Sequence, residues 1–266
     1  MPIRPPAVAG QFYPGQAPRL LAMVDGLLAG VAEPGPVPKA VIVPHAGYVY
    51  SGSTAALAYA AVARAAGVAH VVLVGPAHRA GIRGIALPDA SALATPLGDV
   101  PVWREGTALA LLQPGVVVDG RVHADEHSLE VQLPFLQRVL PGADVVALAV
   151  GWVEPPVVAA VLGALWGGPE TLVVISSDLS HYHPYDQARR IDAGTIAQVL
   201  ALDARIDHER ACGATGMSAL LLEAAAHDLE PRLLGACNSG DTAGDRRQVV
   251  GYAAFGFYPS GQARHA

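Results

Sequence analysis

Two short apolar runs in this chain end by presenting a histidine: Val41-Ile42-Val43-Pro44-His45 and Val71-Val72-Leu73-Val74-Gly75-Pro76-Ala77-His78. A third run, Thr171 to Ile175, leads into Ser176-Ser177-Asp178-Leu179-Ser180-His181. Neutral imidazoles are ligands for divalent transition metals, and two of them with one carboxylate on one face of Fe(II) leave positions open for substrate and dioxygen. Zinc accepts the same donors and favours hydrolysis through a metal-bound water. A further histidine beside an open position can move protons, because its unperturbed pKa of about 6.5 lies near neutral pH. Residue types alone do not separate these metals.

For this chemistry the histidines must share a location, which is a demand on the elements that carry them. Runs of four or five apolar, β-branched residues without polar alternation read as strands buried on both faces, the kind found in parallel sheets. A helical pattern from about Ser53 to Ala66 joins the first two runs into a βαβ unit. Parallel strands point their C-terminal ends the same way, so His45 and His78 are expected at one sheet edge, where open α/β folds place ligands. Beyond the C-terminal ends of the expected core strands come His45, His78, Trp152, Asp178, His181, Cys237 and Asp241. The opposite ends offer Lys39, His70, Asp144 and Thr171, with no paired histidines. Each candidate also has a plain structural alternative. His181 can lie in a helix start capped by Asp178 or Ser180. His127 and Glu130, i and i+3 on an expected helix, can be ligands or supports. Cys237 can be a buried apolar side chain, and Asp241, in a turn-rich loop, can bond only backbone.

The remaining pattern supplies the scaffold. Residues 1–16 read as an extended arm anchored by Phe12 and Tyr13, and Arg19 to Val31 as a helix. Gly84 to Leu87 reads as a short strand, residues 95–99 as a turn, and Glu105 to Leu112 as a short helix. Asp125 to Leu136 carries a helical pattern that Pro134 should kink or break. Val145 to Val150 is a further core strand, followed by a helix over Pro155 to Trp166. Helices are expected from Tyr185 to Leu202 and Thr215 to Ala226, and strands over Arg232 to Ala236 and Val249 to Tyr258, the last bent near its glycines. Residues 259–266 read as a polar tail. The 266 residues suit one α/β domain spanning 1–266, with 52% of residues apolar.

Composition narrows the function. A formal charge of −6 with a single lysine, Lys39, argues against a general nucleic-acid surface. Two cysteines, Cys212 and Cys237, make no disulfide framework and suit a reducing compartment. The N-terminus lacks the apolar core of a signal peptide, and no stretch approaches the roughly 20 apolar residues of a membrane span. A cytoplasmic location without membrane or nucleic-acid partners is the expectation.

Pro44-His45-Ala46-Gly47-Tyr48, Gly75-Pro76-Ala77-His78, Asp125-Glu126-His127-Ser128-Leu129-Glu130, Ser176-Ser177-Asp178-Leu179-Ser180-His181 and Val250-Gly251-Tyr252-Ala253-Ala254 occur in this order in the Memo family. The opening Pro6-Ala7-Val8-Ala9-Gly10-Gln11-Phe12-Tyr13-Pro14 resembles its bacterial and archaeal members, so the resemblance covers nearly the whole chain. It implies an α/β fold: a three-layer α/β/α domain with a mostly parallel mixed sheet, similar to class III extradiol dioxygenases. It also implies metal ligation by His45 and His78 and a catalytic base at His181; Asp178 and His127, candidates from the residues themselves, complete the expected catalytic set. For the third ligand, the dioxygenases use glutamate and the animal Memo protein has a cysteine in the corresponding loop. Counting back from Tyr252 reaches Thr242 without a gap and Asp241 with a one-residue gap; Asp241 is chosen because threonine is a poor ligand, with Cys237 second. Fe(II) is the expected metal, with Zn or Cu as alternatives, in an oxidoreductase acting on a small aromatic or related molecule. The resemblance leaves two other readings: a peptide- or protein-binding module using the same cleft, and a zinc-dependent hydrolase. Many prokaryotic members resemble components of a gene group containing a radical-SAM protein, which implies a shared pathway.

Overall fold

Apolar runs without polar alternation need cover on both faces, and the computed structural model, which describes residues 2–261, provides it. In chain order the first elements are β1 (Ile3–Arg4), α1 (Ala17–Ala29), β2 (Ala40–Val43), α2 (Tyr48–Val62), β3 (His70–Pro76), β4 (Ile85–Leu87), β5 (Ala92–Thr95), β6 (Gly98–Pro101), α3 (Arg104–Leu111) and β7 (Val116–Val118). Next come α4 (Gly120–Ala124), α5 (Leu133–Val139), β8 (Asp144–Val150), α6 (Pro155–Ala164), β9 (Thr171–Ser176) and β10 (His181–His183). The chain closes with α7 (Tyr185–Leu200), α8 (Ala214–Ala226), β11 (Leu229–Asn238), α9 (Ser239–Thr242) and β12 (Val249–Pro259).

The main sheet has nine strands in the order β10-β12-β2-β9-β3-β8-β4-β7, with β11 also paired to β12. Its centre, β2-β9-β3-β8, is parallel, whereas β12 on β2 and β4 on β8 are antiparallel. Along each central strand alternate residues enter two separate cores. Ala40, Ile42, Val72, Val74, Val173 and Ile175 pack with α6, α7 and α8 on one face. Val41, Val43, Val71, Leu73, Leu172 and Val174 pack with α1, α2 and α5 on the other. This is the three-layer α/β/α arrangement, and it explains why the central strands carry no polar alternation. Helix α2 is buried around most of its circumference, which accounts for its run of alanines and small residues where an amphipathic stripe would otherwise stand.

Several local expectations are sharpened and others corrected. Strand β9 lies between β2 and β3, so the βαβ pair is parallel but not adjacent. The helix after His45 begins at Tyr48, directly after Gly47. Residues 125–129 are not helical; a single 3-10 turn over Glu130–Gln132 precedes α5, which starts with Pro134 in its first turn, where the missing N–H costs nothing. Residues 95–99 close a hairpin between β5 and β6, to which β1 adds a parallel strand. The irregularity expected in the last strand falls on its partner instead: β11 carries one extra residue between Leu233 and Gly235 while β12 runs on.

Candidate metal centre

Because β2 and β3 run parallel, the loops that leave them turn out over the same rim. The His45 and His78 rings lie there with centroids 5.2 Å apart, His127 stands 5.4 Å from His45 and 4.7 Å from His78, and a ligand atom from each lies within 4.8 Å of the others. Among the described residues these three histidines form the group with metal-binding spacing. His127 arrives on the non-helical 125–129 stretch, packed under Phe12 of the N-terminal arm at 4.7 Å.

Hydrogen bonds fix which nitrogens are free. Ser176 Oγ donates to Ser128 O (2.6 Å), so it can only accept from His45 Nδ1 at 2.9 Å. Gln132 Nε2 donates to the same hydroxyl and to Pro44 O, and Tyr59 OH holds the other end of the Gln132 amide. His45 therefore carries its proton on Nδ1 and keeps the Nε2 lone pair for the site. Glu126 performs the same service for His78: Oε1 accepts its Nδ1–H at 3.0 Å, and Oε2 accepts its backbone N–H. The backbone N–H groups of His127 and Ser128 also donate to Glu126, each at 2.8 Å. Carboxylates and hydroxyls placed behind ligating histidines in this way orient the ring and raise its basicity.

Burial, and then the charges of neighbouring imidazoles, pushes the His45 pKa well below its ordinary value. Burial likewise takes His127 down to about 4 and lowers His181. Burial alone would raise Glu126, but His78 and the backbone donors outweigh it and hold the carboxyl at about 2. Neutral imidazoles with an ionised carboxylate behind them are the protonation states metal ligation requires. His127 Nδ1 is buried, 3.3 Å from Glu126 Oε1 but without a hydrogen bond.

His181, expected as a base, opens β10; its Nδ1–H donates to Leu179 O at 2.8 Å, leaving Nε2 unprotonated. It lies outside the three-histidine group, within electrostatic reach of His45 and His78. No helix starts there, and Tyr182, next in the chain, has φ 61, in the left-handed region. Asp178 is wholly buried; Oδ1 accepts from His45 N at 2.8 Å, with a second backbone bond from Ala46. Burial raises its pKa to about 7 against those bonds. Its carboxylate thus pins the loop that carries His45.

Asp241, expected as third ligand, is placed elsewhere. It sits in α9, where one oxygen closes a capping box with Asn238 and the other accepts from Tyr185 OH. Cys237, the second choice, bonds Thr54 Oγ1 at 3.1 Å. Neither belongs to the histidine group. Cys212, which sequence reasoning passed over, also lies outside that group, but its Sγ comes within 3.2 Å of His45 Nε2. Cys212 precedes α8, whose start is drawn against the end of β9 by Gly213 N donating to Ser177 Oγ at 2.9 Å. Burial, then the nearby Asp178 charge, pushes the Cys212 thiol up to about 12. A cysteine followed by glycine just ahead of a helical pattern was the available signal.

The chain matches the Memo family, described as Memo-like protein, over residues 4–256. It is 35% identical to a MEMO1 family protein from Methanopyrus kandleri, over 96% of this chain and 98% of that one. It is 37% identical to a MEMO1 family protein from Aquifex aeolicus, with 95% and 98% covered. For one from Ignicoccus hospitalis the identity is 36%, with 97% and 99% covered.

Proposed function

The chain belongs to the Memo family, and from that premise together with its histidine cluster we propose that it is a metal-dependent enzyme acting on a small aromatic or related molecule. The observation that carries this reading is the fixed tautomer of His45 and His78, each held on Nδ1 and facing its neighbours through Nε2. Metal fits these residues. Ligand atoms about 2.0–2.3 Å from one ion sit about 3.5 Å from each other, and the 3.2 Å between Cys212 Sγ and His45 Nε2 is close to that. We assign His45 and His78 as ligands, with the Cys212 thiolate, which reaches His45 from outside the three-histidine group, as the third and His127 beside them. A divalent metal there supplies Lewis acidity and, as Fe(II), redox chemistry with dioxygen.

The other residues do the work of binding and proton movement. His181 takes a proton from a substrate hydroxyl at Nε2, its ring fixed by Leu179 O. Asp178 keeps His45 at the rim by gripping its backbone. Phe12 covers one face of His127 and limits water from that side. A protein or peptide partner, including a radical-SAM protein acting in the same pathway, remains part of the proposal on the strength of the family resemblance alone.

A second reading, a zinc-dependent hydrolase, is favoured by one observation: imidazoles with a thiolate are donors that zinc, like copper, accepts readily. Oxygen separates the two, since hydrolysis continues in its absence and the Fe(II) reaction stops. The central test is anaerobic reconstitution with Fe(II) followed by elemental analysis. Wild type should retain metal and the His45→Ala/His78→Ala protein should not. Equal retention by both overturns the metal reading and leaves a binding module using the same cleft.

A further inference from the structure

Trp152 is 81% exposed, although it directly follows a fully packed core strand. Trp103 and Trp166, the other tryptophans of the chain, are stacked on His70 and His227. An indole left in water at the rim of a sheet adds nothing to the core, and its place is therefore informative. It lines a cleft of about 810 Å³ that His78 and Cys212 also line, so one continuous space joins it to the proposed metal ligands.

The charged groups on that cleft are not equivalent. Arg205 is closed on Asp203 by two hydrogen bonds of 2.8 and 2.9 Å, so its charge is already matched. Arg83 is exposed and, among the described residues, has no hydrogen bond, ion pair or ring contact from its guanidinium. Glu154 lines the same space, and among the described residues it forms no ion pair with Arg83. Arg83 and Trp152 are partners across an isolated bridge, so their backbones lie about one strand spacing, ~4.8 Å, apart. A guanidinium fork seeks a planar oxyanion, and an indole seeks a flat ring. The two stand side by side on the route to the histidines.

We propose that the cleft selects a flat aromatic molecule bearing a carboxylate, with the ring against Trp152, the carboxylate on Arg83 and the opposite edge of the ring directed at the His45–His78–Cys212 cluster. This deepens the enzymatic reading and rests on it only for the last contact. The anion seat is formed by residues that do not touch the proposed metal ligands, and so it can be tested without metal.

Isothermal titration of the metal-free protein with 3,4-dihydroxybenzoate and with catechol, the same diol without the carboxylate, gives the comparison, repeated anaerobically after loading with Fe(II). The carboxylated ring should bind at least about tenfold more tightly than catechol, the gain of one charge-assisted contact. Arg83→Gln should abolish that preference, Arg83→Lys should restore part of it, and Trp152→Ala should weaken both ligands alike. Equal affinity for the two rings, a preference that survives in Arg83→Gln, or no binding of either at millimolar concentration overturns the inference. So does inorganic phosphate binding as tightly as the aryl carboxylate, which would leave the ring no role. Failure to take up Fe(II) with the anion preference intact would instead sink the metal reading and keep this one.

Discussion

Glu126 shows how much of this site is decided by single side chains that never face a substrate. Its two oxygens collect the Nδ1–H and backbone N–H of His78 together with the backbone N–H groups of His127 and Ser128. Glu126→Gln keeps the size but replaces one acceptor with a donor facing those N–H groups. Chelator competition should find its Fe(II) or Zn(II) affinity reduced about 10- to 100-fold, the range for second partners behind ligating histidines. An affinity within twofold of wild type would show that Glu126 does not orient His78. Cys212→Ser should release the metal while His127→Ala retains it, measured by elemental analysis after dialysis; the reverse result would transfer the third-ligand role to His127. His45 and His78 were legible in the sequence because each stands just past a β-branched run, and strand direction alone brings such residues together; His127 follows α4 and carries no such signal. Cys212 was not, because its approach depends on where α8 docks, and docking is set by contacts such as Gly213 N to Ser177 Oγ that leave no periodic trace. Asp241 misled for a related reason: an aspartate three residues after Asn238 serves a helix cap as well as it would a metal.

At the scale of elements, the site depends on how closely α8 and α4 are packed to the sheet. A methyl group added at Gly213 would stand 2.6 Å from Ser177 Cβ and 2.8 Å from Ser176 O, and the backbone carbonyl cannot move aside cheaply. Gly213→Ala should cost about 1–3 kcal/mol in urea denaturation and weaken metal binding, because Cys212 must shift with the helix start. Loss of stability without any change in metal affinity would separate Cys212 from the centre. Helix α4 contributes His123, which is buried and donates Nε2–H to Ala86 O at 2.9 Å. Burial lowers its pKa to about 4. Below about 6.5 the unfolded chain takes up a proton on this histidine that the folded chain refuses until about pH 4. Proton uptake by the unfolded state makes stability rise with pH, so this contribution is present above pH 6.5, is lost as pH falls towards 4, and changes no further below. His123→Gln should flatten the acid limb of stability against pH by up to about 1.4 kcal/mol per pH unit between those values. An unchanged slope would mean that His123 is already solvated. The central strands and the long helices could be read from period and composition, whereas the 125–129 loop could not: its expected helix is displaced by Glu126 accepting from the backbone of His127 and Ser128 and by Ser128 Oγ donating to Pro76 O at the end of β3.

Across the whole molecule, the N-terminal arm closes the side of the histidine cluster that the sheet leaves open, and one carboxylate holds it there. Glu130, with a side chain that is 0% exposed, accepts from Arg4, from Tyr13 OH, and from the backbone of Ala7 and Val8 at 2.7 and 3.0 Å. Arg4 also donates to His123 O and Glu126 O, so the same arm ties down the loop that presents His127. Phe12 then rests on the His127 ring and Phe12 O accepts from Tyr48 N at the start of α2. No described helix is long and apolar enough to cross a membrane, and of the arm's apolar residues Val8 and Tyr13 are buried with Ala7, Ala9 and Phe12 packed against the same core, while Ile3 stays exposed. Removing one partner of a buried ion pair leaves the other charge without compensation, a loss of about 3–5 kcal/mol. Glu130→Ala should therefore lower the free energy of unfolding by that amount, and hydrogen exchange should show residues 7–13 losing protection before the central strands do. Arg4→Met removes the charge that Glu130 was matched to and should cost a similar amount, whereas the Arg4→Met/Glu130→Gln protein should recover much of the loss because no unpaired charge remains. If either single variant costs less than about 1 kcal/mol, or if protection falls evenly across arm and sheet, the arm is an ordinary terminus and the cover over His127 must be supplied some other way.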